Sequence, residues 1–398
     1  MSQFTTLIDR SWHAASNPAG LTELEVASGI VLGQGDGSGF DPNPHVDPMQ
    51  ILRSNAGALL EMTPCVVAFS GGRDSSALLA VLADVARREG LPAPVAITAR
   101  WEGDAASDER VWQEEVIAAV GVPDWEVIHP GTDLDLLGSE ATAILERVGL
   151  MWPAASYAFM PMIRRSKGGV FISGEGGDEA FGLWPYGRLW SHLRNRKVPK
   201  QGDMRALALG CTPGPLRRLR WQQNQPPYQD WLQPEAFRRV AKGLAEELAS
   251  DPLRWDRYQS VNRGRRSTML TVGTFERLCE LEGSRYVGPF LDERFLASLA
   301  AWGGRFGRGD RTGVMKALFS DLLPSSILSR KSKASFGAVF WGPRSRAFAE
   351  GWDGEGIAPE LINPETLRDA WMESIPVFGS ALPLHAAWLS AQHSVQPE

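Results

Sequence analysis

A parallel α/β sheet followed by a mainly helical C-terminal half is the fold class this chain predicts, from three observations. Strand-like stretches at 65–69, 95–100, 125–129 and 170–173 alternate with amphipathic ones, as strands joined by right-handed helical crossovers do. The first and last of these runs lead straight into glycine-rich loops, and loops at the carboxyl ends of parallel strands border the ligand crevice of such sheets. Beyond residue 183 few strand-like runs recur, Trp and Arg are frequent, and 235–250 carries helical spacing.

The elements follow in order. Asp47-Pro48 is a helix start, Asp as cap and Pro at the first helical position, and the apolar spacing continues it to Glu61. Cys65-Val66-Val67-Ala68-Phe69 is a continuous apolar run suited to a strand buried on both faces. A helix over 75–89 stops at Gly90, and a second, capped by Ser107, stops at Gly121. One or two helices fill 139–166 before the strand Val170-Phe171-Ile172-Ser173.

Composition narrows the function classes. The 398 residues are 43% apolar and 22% charged, enough for a sizeable core in two to three domains, or one large one with an appendage, at roughly 100–200 residues each. The net charge of −6 argues against a protein built to hold nucleic acid. No apolar run approaches the ~18 residues of a membrane span, and the N-terminus lacks the cationic start and apolar core of a signal peptide. Three widely spaced cysteines make neither a disulfide framework nor a metal knuckle, and fit a reducing cytoplasm. The six histidines form no HxxxH pair, so any metal falls to carboxylates.

Ser70-Gly71-Gly72-Arg73-Asp74-Ser75-Ser76 stands between a strand and a helix. A helix N-terminus offers free N–H groups and a positive dipole end to a phosphate, the glycines let an anion approach the backbone, and Ser70, Ser75 and Ser76 add hydroxyls. Asp74 would repel phosphate unless a cation such as Mg²⁺ sits between them. The pattern is not GxxxxGK[ST], so this is not the common P-loop. The second loop is Ser173-Gly174-Glu175-Gly176-Gly177-Asp178-Glu179-Ala180-Phe181-Gly182. There Asp178 is the natural partner of Asp74 for one Mg²⁺, with phosphate oxygens and water completing the shell.

The first loop resembles the pyrophosphate loop of the ATP-pyrophosphatase (PP-loop, adenine nucleotide α-hydrolase-like) superfamily. The second resembles the GEGADExFGGY motif of asparagine synthetases. Collinear with them, the segment Asp108-Glu109-Arg110 through Gly121, Gly288-Pro289-Phe290-Leu291-Asp292, and Lys316-Ala317-Leu318 to Phe336 are similar to further segments of that family. The likeness spans about residues 48–340. It implies an Mg-ATP-dependent synthetase that adenylates a carboxylate, releases pyrophosphate and passes the acyl group to an amine. It implies 48–183 as the ATP-binding core and 184–398 as the helical part of one synthetase domain, with 1–47 an extension too short for a glutaminase. ATP contacts are implied for Ala68, Phe69, Ser70, Gly71, Gly72, Asp74, Ser75, Ser76 and Gly174, and Mg²⁺ contacts for Asp74 and Asp178. Glu175 is the implied base toward the amine. Lys333, placed by its spacing to Phe336, is the implied lysine at the phosphates, and Lys331 is its competitor.

Departures from the family fall at Arg73, at Leu183-Trp184, and at 280–292, where Glu280, Glu282 and Arg285 stand further from Pro289 than usual. The last lie where the acyl substrate is expected, so the acyl donor need not be aspartate. Small-molecule or peptide carboxylates and amines are the expected partners, without membrane or nucleic acid. Related β-lactam synthetases and lasso-peptide cyclases act intramolecularly, and retention of Glu175 leans away from the β-lactam branch. A scaffold that binds nucleotide without catalysis is the alternative from another class. Residues 188–220 carry nine basic side chains against the single acid Asp203, a solvated lid face or a docking surface for an acidic substrate.

Overall fold

The computed structural model describes residues 19–35, 40, 46–100, 108–131, 134–182, 184–194, 196–223, 229–331 and 337–395. Its centre is a five-stranded sheet, all parallel, in the order β3-β2-β1-β4-β5. The four expected strands are present as β1 (Cys65–Ala68), β2 (Val95–Ala99), β3 (Trp125–Ile128) and β4 (Val170–Ile172). The fifth, β5 (Arg285–Val287), pairs Val170 with Arg285 and Ile172 with Val287. It was not foreseen. In this three-residue edge strand only Tyr286 is buried, so no continuous apolar run announces it.

The sheet separates two apolar cores, and β1 supplies both by alternation. Val66 and Ala68 join Ile97 and Phe171 on one side, while Cys65, Val67 and Phe69 join Ala96, Val170 and Ile172 on the other. Chain order sets which helices cover which face. After α1 (Glu23–Ser28), the helices α2 (Pro48–Leu60), α3 (Arg73–Glu89) and α4 (Arg110–Val120) pack on the second side through Leu52, Leu79 and Val116, as do the helices Glu293–Gly303 and Arg311–Phe319. The first side is covered by α5 (Ser139–Val148), α6 (Met160–Arg165) and the helix Ala381–Val395. Helix α1 joins the C-terminal helices rather than the sheet edge: Trp231 Nε1 donates to Ala27 O at 2.8 Å, and Arg266 pairs with Glu25 at 2.9 Å.

The caps explain the boundaries. Asp47 accepts from the Met49 N–H at 2.7 Å with Pro48 at the first position of α2, and left-handed Gly90 and Gly121 end α3 and α4. The expected cap Ser107 lies outside the described residues, and α4 begins after Glu109 without a side-chain cap. No helix among the described residues is long and apolar enough to cross a membrane.

Candidate active site

The chain runs outward through β1, β2 and β3, then returns to place β4 on the other side of β1. The boundary between β1 and β4 is therefore the topological switch point, where parallel sheets open a crevice beyond their strand ends. Both glycine-rich loops leave the sheet there. Helix α3 begins at Arg73, earlier than the sequence suggested, with Gly72 as its cap. Arg73 and Asp74 thus occupy the first turn, where the dipole end and unpaired N–H groups favour an anion.

The serines of the loop divide. Ser70 is exposed. Ser75 is buried and spent on the loop itself, its Oγ lying 3.0 Å from Ser70 Oγ and donating to Gly72 O at 3.2 Å. Ser76 is fully buried, and its Oγ meets no partner among the described residues. Ala68 and Phe69 close the strand beneath; the backbone of Phe69 is engaged by Ile97 O at 2.8 Å and by the Thr98 hydroxyl at 2.7 Å.

Asp74 and Asp178, 104 positions apart in sequence (178 − 74), come together across the crevice. Helix α7 (Gly177–Phe181) carries Asp178 in its first turn. A Cβ on Gly177 would lie 2.3 Å from Asp74 Cγ, so the Asp74 carboxylate fills the hollow that this glycine leaves. Arg311 bonds both carboxylates, one terminal nitrogen to each. Asp74 Oδ1 is buried without a hydrogen-bond partner among the described residues. Two hard carboxylates, one with an unused buried oxygen, suit Mg²⁺, which takes one or two carboxylates and leaves its other positions to phosphate and water. No three His, Cys, Asp or Glu side chains converge as a metal cage among the described residues.

Glu175 lies three residues beyond the end of β4. Its N–H donates to Ser173 Oγ at 3.3 Å, and that oxygen lies 3.0 Å from Tyr286 Oη. Tyr286 is stacked on Phe275 with centroids 4.9 Å apart, and burial pushes its phenol well above the ordinary range. A neutral tyrosine from β5 thus fixes the turn that presents Glu175. Gly174 sits against the start of α3, where an added Cβ would stand 3.0 Å from Ser75 N.

Lys333 lies outside the described residues, as does Leu183. Lys331 is exposed. Its neighbour Arg330 is buried, donates to Gly71 O at 3.1 Å and forms a doubly bonded pair with Glu109. The guanidinium also lies 4.8 Å above the Trp112 ring. Partial burial and the neighbouring Arg311 charge hold the Arg73 guanidinium below its ordinary value, and Arg73 Nη1 lies 3.3 Å from Thr312 Oγ1. Arg311 and Glu109 escaped the sequence reading as site partners. Arg330 stood within a quoted motif with no role attached.

One expectation needs correction. Glu280, Glu282 and Arg285 were placed near the acyl substrate, but the pairing of β5 puts Arg285 opposite Val170, the first residue of β4. Glu282 pairs with Arg164 at 3.5 Å, and Glu280 lines a separate cavity with Met151 and Thr274. All three belong to the amino end of the strands. Only Gly288 to Asp292 reach the carboxyl end, where Leu291 packs against Gly176. In the basic stretch, Arg217 donates to Gly210 O at 3.1 Å and Arg218 faces Glu246 at 3.4 Å.

The sequence model of the asparagine synthase family matches residues 51–387, extending past the 340 at which the motif likeness ends. No curated protein matches the chain.

Proposed function

Since the chain belongs to the asparagine synthase family, whose members are ATP-dependent amide-forming ligases, we propose that it adenylates a carboxylate and transfers the acyl group to an amine, in the making of a specialised metabolite or modified peptide. The observation that carries this is the meeting of Asp74 and Asp178 at the β1–β4 crevice, with Asp74 seated in the hollow of Gly177. A carboxylate oxygen of the substrate attacks the α-phosphorus of ATP, the α–β bond breaks, and pyrophosphate leaves. The amine nitrogen then attacks the acyl carbon, AMP leaves with the bonding electron pair, and the amine proton passes to Glu175.

The α3 N-terminus and the loop backbone receive phosphate oxygens. Asp74 and Asp178 would hold Mg²⁺, which supplies charge to balance the phosphates. Lys333, three positions beyond Arg330, is assigned to the charge that grows on the departing pyrophosphate. Glu175 acts as general base, a role needing hydrogen-bond reach to the amine. Residues 48–183 are assigned as the nucleotide core and 184–398 as the part that shapes the acyl and amine sites.

The test uses hydroxylamine as the trapping amine with Mg-ATP and a panel of amino-acid and peptide carboxylates. AMP, pyrophosphate and a hydroxamate are the expected products, and Asp74→Asn and Asp178→Asn each abolish them while the fold persists. Release of ADP and phosphate overturns the reading.

A further inference from the structure

The metal-facing carboxylates already have a cation of the protein's own. Arg311 opens the helix Arg311–Phe319 directly after its cap Asp310. Its Nη1 donates to Asp178 Oδ1 and its Nη2 to Asp74 Oδ2. The two acids therefore stand one guanidinium apart, each with an oxygen turned to the same planar cation. Gly182, at the end of the second loop, makes the approach possible: a Cβ there would lie 3.0 Å from Arg311 Nη1 and 3.2 Å from Cδ.

This is a poor permanent resting place for an arginine. Among the described residues its Nε is buried without a hydrogen-bond partner, and so is Asp74 Oδ1. Leaving a buried polar atom unsatisfied is costly, so the pairing is incomplete on both sides. The side chain is 19% exposed, which leaves it a route outward. Arg73 stands close enough to feel the Arg311 charge, with the carboxylates of Asp74 and Asp310 also beside it.

A divalent cation on the same two carboxylates cannot share that space with the guanidinium. Added without an anion, it would also set two further positive charges beside Arg311 and Arg73. Phosphate oxygens remove both objections, because they offer the displaced arginine a bidentate partner and neutralise the metal. We propose that Arg311 is a resident counter-ion of the metal site, holding Asp74 and Asp178 together until nucleotide arrives and then moving onto its phosphates, so that the divalent cation enters only with ATP. This rests on the assignment of Asp74 and Asp178 as metal ligands, and the test separates the two ideas.

The probe is Mn²⁺ alone, followed by the loss of its free-ion EPR signal, with no nucleotide present. The parent protein is expected to bind Mn²⁺ weakly. Arg311→Met, which keeps the stem and removes the charge, is expected to bind it at least tenfold more tightly, and Arg311→Met/Asp74→Asn to lose that gain. Arg311→Met should in turn bind Mg-ATP more weakly than the parent, read by equilibrium dialysis. Should Arg311→Met fail to fold by circular dichroism, Arg311→Gln serves in both forms, since its neutral amide removes the charge while leaving a polar group toward the two acids. Equal Mn²⁺ affinity in parent and variant overturns the counter-ion proposal while leaving the metal assignment standing. A gain that persists with Asp74→Asn overturns both.

Discussion

Arg330 and Glu109 form a buried ion pair beside the Ser70–Ser76 loop, and the same guanidinium holds the Gly71 carbonyl at 3.1 Å. Their side chains are 4% and 8% exposed. Removing one partner of such a pair costs about 3–5 kcal/mol, because the other charge stays buried and alone, whereas replacing both with apolar groups of similar volume is often neutral. Glu109→Ala is therefore expected to lower stability by that amount in denaturant unfolding. Glu109→Leu/Arg330→Met should recover most of the stability but still bind ATP more weakly, because Gly71 has lost its donor. Equal ATP affinity in parent and double variant would show that the pair supports the fold without positioning the loop.

Gly177→Ala tests the seat of Asp74. The new Cβ would fall 2.3 Å from Asp74 Cγ, so the carboxylate must move, and displacements of about 1 Å in a catalytic arrangement cost on the order of a hundredfold in rate. Turnover should fall by at least that factor and the thermal midpoint should fall as well, since the new Cβ also lies 2.6 Å from Asp74 Cβ, which moves only if the start of α3 moves with it.

Glu175 and Lys333 should fail at different steps. Positional exchange of labelled oxygen in ATP reports reversible adenylation, and amide is assayed directly. Glu175→Gln is expected to keep exchange and lose about two to four decades of amide formation, whereas Lys333→Ala loses exchange itself. Normal exchange in Lys333→Ala would transfer the role to Lys331.

His385 gives the fold an acid limit. It is fully buried, its ring lies 2.9 Å from Leu136 O through Nε2, and Nδ1 has no partner among the described residues. Desolvation drives its pKa from 6.5 down to about 4. The unfolded chain therefore takes up a proton below about pH 6.5 that the native one refuses until about pH 4. The stability due to the neutral ring is full above the first value, falls as the pH drops between them, and levels off below the second. The loss is on the order of 3 kcal/mol over that window. Denaturant unfolding at a series of pH values, beside His385→Gln with its retained donor, should show the variant losing less across the window.

Thiol chemistry should discriminate among the three cysteines. Cys211 is exposed, while Cys65 and Cys279 are buried, and burial pushes both of these thiols up to about 12. Since the thiolate is the reactive species, native protein is expected to take one equivalent of iodoacetamide rapidly and the unfolded chain three. Fast native labelling of Cys65 would mean that β1 opens.

What could be read without coordinates was local. Strands β1 and β4 were legible because apolar runs meet glycine-rich turns, β2 and β3 because they alternate with helical stretches, and each observed strand ends one residue earlier than expected. Asp47, Gly90 and Gly121 were legible because caps obey short-range chemistry. Strand β5 was not, since Tyr286 is its only buried side chain. The pairing of Asp74 with Asp178 followed from the logic of two acids at strand ends, whereas Arg311 could not be found that way. Nothing in the spacing around an arginine at a helix start announces a partner 237 positions earlier. Glu109 was hidden similarly, its partner Arg330 lying 221 positions away.

That separation bears on how the protein is made. All five strands of the sheet are encoded by residue 287, yet the two arginines that bond Gly71 and the two acids Asp74 and Asp178 come at 330 and 311. At about 5–20 residues per second, a nascent chain spends on the order of seconds with every strand synthesised and the nucleotide pocket unfinished. A product that stops short of residue 311 would carry the acidic pair without its guanidinium partner, and would be poor at capturing ATP however well its sheet had formed.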